Sequence, residues 1–149
     1  MTGGTRAPLV VVQRVLPAPP DTVYAEWLDP DGMMEWMCPR PVQPTEIHVD
    51  SRIGGRLQIQ VLDAGVEMTI TGNYLVLDRP NRIQFTWRVN AWEPASRDSV
   101  VTVIFDPHGQ DQTLMTIHHT QLPQPEFESY NRGWAKVTEQ LEGRVSASA

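Results

Sequence analysis

Four histidines and one cysteine are the side chains best suited here to metal, nucleophilic or acid–base chemistry. His118 and His119 are neighbours in the run Gln112–Thr120, which reads as a strand. Successive side chains on a strand point to opposite faces, so the two cannot chelate one ion. No His-Glu-x-x-His occurs, and Cys38 alone supplies neither a thiolate zinc site nor an internal disulfide. No metal and no cofactor is therefore expected. Gly54-Gly55 lacks the Lys-Ser/Thr of a phosphate loop and the spacing of a dinucleotide fingerprint, and reads as a backbone bend. There is no Gly-x-Ser-x-Gly elbow. Cys38, between Met37 and Pro39, has no base beside it in sequence and reads as a partly buried, unreactive thiol. His119 shares an inward register with Met115 and Ile117 and is the one such group that titrates near neutrality. It either moves a proton or is a core histidine held by a neighbouring group.

A larger set can hold a ligand without reacting with it. Trp36, Met37, Met68, Tyr74, Phe85, Trp87, Met115, Ile117, His119, Tyr130 and Trp134 fall on inward faces or near the mouth of the space those faces enclose. A packed core needs the same residue types. Long Met and flat indole side chains can also line a space that Leu and Val would fill. Tyr74, in register with Met68 and Ile70, adds a hydroxyl that can orient a ligand. No pair of carboxylates shares an inward face. Glu126 and Glu128 are accounted for by the positive end of a helix that starts beside them.

These residues must be positioned by a definite run of elements. Leu9–Leu16 is a Val-rich strand, closed by Pro17-Ala18-Pro19-Pro20. Asp21 is placed to cap a helix whose apolar face carries Val23, Tyr24, Trp27 and Leu28. Asp29-Pro30-Asp31-Gly32 breaks it, and Met33, Met34, Trp36 and Met37 form a second short turn before Pro39. The period then changes to two. Strands are expected around 46–50, 57–61, 66–78, 83–89, 99–105 and 112–120, with turns at 63–65, 78–81 and 106–111. In 66–78 the even positions Met68, Ile70, Tyr74 and Val76 make the apolar face. Trp92 sits in the loop Asn90–Arg97, where it can close a cavity mouth, hold a homodimer together or lie on the surface. Pro123 and Pro125 introduce a long helix, about Pro125 to Arg144, with the stripe Phe127, Tyr130, Trp134, Val137, Leu141 and Val145. Gly133 interrupts it at a cost of about 1 kcal/mol against Ala, which a close backbone approach would explain.

The order predicts an α+β domain with an antiparallel sheet whose apolar face the last helix covers. The chain has 149 residues, the length of one domain, here 8–145, with flexible ends at 1–7 and 146–149. A net charge of −6 without a basic stripe argues against a nucleic-acid partner. The apolar run Pro8–Val12 is too short for a membrane span and lacks the charged n-region and small-residue cleavage site of a signal peptide, so the expected location is the cytoplasm.

Several segments in order resemble one family. Arg14–Pro19 with Val23–Trp27 is similar to the opening strand and helix of homologues of the activator of the heat-shock protein ninety ATPase. Glu35-Trp36-Met37-Cys38-Pro39 resembles the family's tryptophan–proline segment, with Cys38 where members often have Gly. Asp50-Ser51-Arg52-Ile53-Gly54-Gly55 matches its Asp-x-Arg-x-Gly-Gly bend. Gly72-Asn73-Tyr74, Arg79-Pro80, Phe85-Thr86-Trp87 and Ser99–Val103 match its central strands, and Thr113, His119 and Leu122-Pro123 its last strand. Gly133-Trp134 matches the Gly-Trp of its final helix, so the resemblance makes the helix glycine a family feature.

The resemblance implies the helix-grip (START-like, SRPBCC) fold, a curved antiparallel sheet wrapped around a long C-terminal helix, with two short helices after the first strand. It also implies a cavity between sheet and helix for a small hydrophobic or aromatic molecule. Two alternatives follow from the same resemblance: a polyketide-cyclase or dehydratase-like enzyme using His119, and a co-chaperone-like interaction module. The eukaryotic proteins that name the family carry an additional domain, for which 149 residues leave no room.

Overall fold

A computed structural model describes residues 9–147. The period-two segments become strands β1 (Val10–Leu16), β2 (Gln43–Val49), β3 (Arg56–Asp63), β4 (Val66–Asp78), β5 (Arg82–Val89), β6 (Ser99–Pro107) and β7 (Thr113–Thr120). They form one antiparallel sheet in the order β1-β7-β6-β5-β4-β3-β2. Strands β2 to β7 follow one another as a meander, and β1 closes onto β7. The sheet curls into a half-barrel around the terminal helix, which is the helix-grip fold expected from the sequence.

Two short helices, α1 (Pro20–Glu26) and α2 (Pro30–Trp36), separate β1 from β2. A 3-10 turn at Gln124–Glu126 leads into α3 (Phe127–Ala147). The helix continues to Ala147, past the expected Arg144. The N-terminal tail expected at 1–7 lies outside the described residues, as do residues 148 and 149.

The α3 stripe is buried as its spacing requires: Trp134, Val137, Leu141 and Val145 sit in the core, and Phe127 and Tyr130 pack against it. Polar contacts hold the far half of the helix. Gln140 Nε2 donates to the carbonyls of Trp36 (3.0 Å) and Cys38 (2.8 Å), tying α3 to the segment after α2. Arg14 pairs with Glu142, and Arg144 with Glu26 (2.8 Å) and Glu35 (2.6 Å).

Four local expectations are corrected. Asp21 does not cap α1: Pro19 holds the cap position without a side-chain bond, and Asp21, inside the first turn, pairs with Arg79 at 2.8 Å. The Asp29–Gly32 tetrad does more than break a helix. The Asp29 carboxylate caps α2 through the Asp31 amide, and Pro30 occupies its first turn, where a missing N–H is no loss. In β4 the register against β5 shifts between Tyr74 and Val76. The extra residue, Leu75, is thrown to solvent at 45% exposure, and Leu77 rather than Val76 packs against the core. Gly133 meets no close backbone: a Cβ there would reach only Pro39 Cγ, at an ordinary 3.6 Å.

The close approaches lie elsewhere. A Cβ on Gly72 would stand 1.8 Å from the Thr86 carbonyl oxygen, and one on Gly55 would stand 2.0 Å from that of Asp50. Gly54 adopts φ +80° and donates its N–H to the Tyr74 carbonyl at 2.7 Å. Gly72→Ala is therefore expected to destabilise the fold by about 3 kcal/mol, at the upper end of overpacking costs. Gly143→Ala, in a helix position with no atom within 4 Å, should stabilise by about 0.5–1 kcal/mol. Urea unfolding of both variants checks the contrast.

Candidate functional site

A half-open groove of about 340 Å³ lies where the first turns of α3 cross the sheet. The helix contributes Glu126, Ser129, Tyr130, Gly133, Trp134 and Val137. The sheet contributes Val61 and Asp63 from β3, Met68 and Ile70 from β4, and Trp87 and Val89 from β5. Met37, Cys38, Pro39 and Val42, between α2 and β2, close the third side. Strand parity explains the sheet side: each pair is two residues apart and so shares a face. Gly133 explains part of the space, because any side chain there would project towards Pro39.

The wall of the groove is held by a chain of hydrogen bonds. Trp134 Nε1–H donates to His119 Nδ1 at 2.9 Å. An indole nitrogen only donates, so His119 Nδ1 is an acceptor and its proton is on Nε2. Nε2–H donates to Ser99 Oγ at 2.8 Å, and Ser99 Oγ–H donates to the Trp87 carbonyl at 2.6 Å. Trp87 Nε1–H in turn donates to Tyr130 Oη at 2.9 Å. The rings interlock as well: Trp87 lies 5.4 Å from Trp134 and 6.1 Å from Tyr130, centroid to centroid.

Burial sets the protonation states. It pushes His119, fully enclosed at 0% exposure, down to about 3. It pushes the Cys38 thiol up to about 12, so the thiol stays protonated at neutral pH. Tyr130 is pushed up to about 12, chiefly by burial; the Trp87 donor acts against the rise and the nearby Glu126 charge adds to it.

The structure divides the residues singled out from sequence. Met37, Met68, Trp87, Tyr130 and Trp134 line the groove. Trp36, Tyr74, Phe85, Met115, Ile117 and His119 lie outside its lining, in the packed interior. Trp36 donates to Glu26 at 3.1 Å, and Met115 Sδ accepts from Trp27 Nε1 at 3.3 Å. The Tyr74 hydroxyl is buried without a partner among the described residues, and burial raises its pKa. His119 has both ring nitrogens engaged, which leaves no lone pair facing the groove. Trp92 packs edge-on against Tyr130 at 6.3 Å and is not one of the groove's lining residues.

Sequence reasoning passed over the Cys38–Val42 side of the groove and its two carboxylates, Asp63 and Glu126. Each carboxylate has a sufficient local explanation, a turn and a helix start, and nothing local shows that the two share a space. The parity that found Met68 and Trp87 also marks Val61, Ile70 and Val89. Among the described residues no group of three or more His, Cys, Asp or Glu side chains could hold a metal ion. Among them, too, no helix is long and apolar enough to cross a membrane.

A family model described as activator of Hsp90 ATPase homolog 1-like protein matches residues 17–146. Among solved structures the chain is similar to protein CV1439 from Chromobacterium violaceum, with 27% identity and a TM-score of 0.79 over 91% of this chain and 95% of that one. It is also similar to the AHSA1 protein from Silicibacter pomeroyi, with 17% identity and a TM-score of 0.82 over 95% and 99%. A more distant likeness is to an Hsp90 activator from Plasmodium falciparum, with 20% identity and a TM-score of 0.63 over 77% and 74%. No curated protein is significantly similar in sequence.

The His119 geometry has a consequence for stability. Its ordinary pKa is 6.5, and the folded chain holds it near 3. Below pH 6.5 the unfolded chain takes up a proton that the folded chain refuses. The stability present above pH 6.5 is therefore lost progressively as pH falls towards 3, with a slope approaching about 1.4 kcal/mol per pH unit. Urea titrations at pH 6.5, 5.5 and 4.5 should show this slope, and His119→Gln should remove that part of it.

Proposed function

The chain belongs to the activator of Hsp90 ATPase homolog 1-like family, and from that membership we propose that it binds a small apolar or aromatic molecule in the groove between α3 and the sheet. One observation supports this above the others: the interior beside the groove is filled and hydrogen-bonded, while about 340 Å³ stays open between mainly apolar walls. Packing usually closes gaps of this kind. A pocket kept open beside a rigid wall is the ordinary form of a small-molecule site.

The two rival readings draw less support. A cyclase or dehydratase using His119 needs a free ring nitrogen within reach of the substrate, and both nitrogens are engaged by Trp134 and Ser99. A co-chaperone role rests on the family's name and on a likeness to the Plasmodium protein that, at 20% identity, extends to the fold alone. The cytoplasm suits a chain whose single cysteine is kept as a thiol.

The neutral fluorophore N-phenyl-1-naphthylamine tests the reading. It should brighten on binding and raise the melting temperature, with stabilisation of about 2.7 kcal/mol at a hundred times its Kd. Gly133→Leu fills the groove from the helix side and should abolish both effects without unfolding the chain. Brightening that persists unchanged in Gly133→Leu, or none in the parent, overturns the proposal.

A further inference from the structure

The ionisable lining of the groove has one sign. Asp63, at the end of β3, and Glu126, just before α3, both line it, and no Lys, Arg or His does. Neither carboxylate has an ion-pair partner among the described residues. The other end of α3 is built differently: there Glu26, Glu35 and Glu142 are matched by Arg14 and Arg144. The remaining polar lining is neutral, with Cys38 held as a thiol and Tyr130 as a phenol.

Each ligand charge meets this lining differently. An anionic head group would face two carboxylates and no countercharge. A neutral molecule would strip water from both carboxylates and give nothing in return. A cation would be drawn to the two carboxylates, which no other charge in the lining offsets. The net charge of −6 adds an attraction of the same sign at longer range.

Resting on the reading of the groove as a ligand site, we infer that it selects cationic amphiphiles: an organic ammonium on an apolar or aromatic body, the body against Ile70, Trp134 and Val137 and the head towards Asp63 and Glu126. The carboxylates set the preference and the apolar walls supply the affinity.

The test is competition against bound N-phenyl-1-naphthylamine at low salt by three ligands of like shape. These are (1-naphthylmethyl)trimethylammonium, 1-neopentylnaphthalene and 1-naphthylmethanesulfonate. The ammonium should displace the probe at a concentration about ten-fold or more below that of the sulfonate, with the neutral hydrocarbon between. In the Asp63→Asn, Glu126→Gln double variant the ammonium and the hydrocarbon should converge to within about two-fold, and each single variant should fall between. A melting curve confirms that the variants fold. Equal displacement by cation and anion, a preference for the anion, or a cation preference that survives in the double variant overturns the inference and leaves the binding site standing. Failure of the probe to bind, or of all three ligands to displace it, removes the binding site and the inference together.

Discussion

A neutral imidazole in the middle of a core can be tolerated only if both of its nitrogens are answered. Here the two answers come from opposite layers: Trp134 on the helix and Ser99 on the sheet. The helix can therefore lie on the sheet in one place. A slide or a rotation that kept the apolar stripe buried would still strand the Trp134 N–H, the His119 lone pair or both. Apolar contacts press α3 onto the sheet without direction; this chain of donors and acceptors gives the contact its register. Ser99 hands the constraint on to the Trp87 carbonyl, and the Trp87 indole hands it to Tyr130. The groove inherits its shape from the same bonds.

The two halves of α3 do different work. Towards its C-terminus, Leu141 and Val145 are buried, and Gln140, Glu142 and Arg144 reach across to α2, β1 and the segment after α2. Towards its N-terminus, Ser129 is exposed, Tyr130 is half-buried and Gly133 offers no side chain. The helix is anchored at one end and leaves space at the other.

Much of this was legible in the sequence because the signals were local. Alternation in 83–89 gave its inward face residue by residue, and the spacing Trp134, Val137, Leu141 gave the helix stripe. The register shift in β4 was not legible: Leu75, Val76 and Leu77 are all apolar, so hydropathy cannot tell which one is extruded. His119 was rightly placed inward, but its partners are 20 and 15 residues away and on different elements. The split of the aromatic set into groove lining and packed interior was equally hidden. Met68 and Met115 have the same type and the same inward parity, and only the tertiary arrangement leaves one beside open space.

The indoles also stand very close together. Trp27 lies 4.9 Å from Trp36 and 6.0 Å from Trp134, and Trp134 lies 5.4 Å from Trp87. Rings at such separations pass an excited state among themselves faster than any one of them emits. Light absorbed anywhere in the cluster is then released by whichever member has the lowest excited level. Two members, Trp87 and Trp134, form part of the groove wall, so where either of them holds the lowest level the protein's own ultraviolet emission reports the polarity of what stands against that wall.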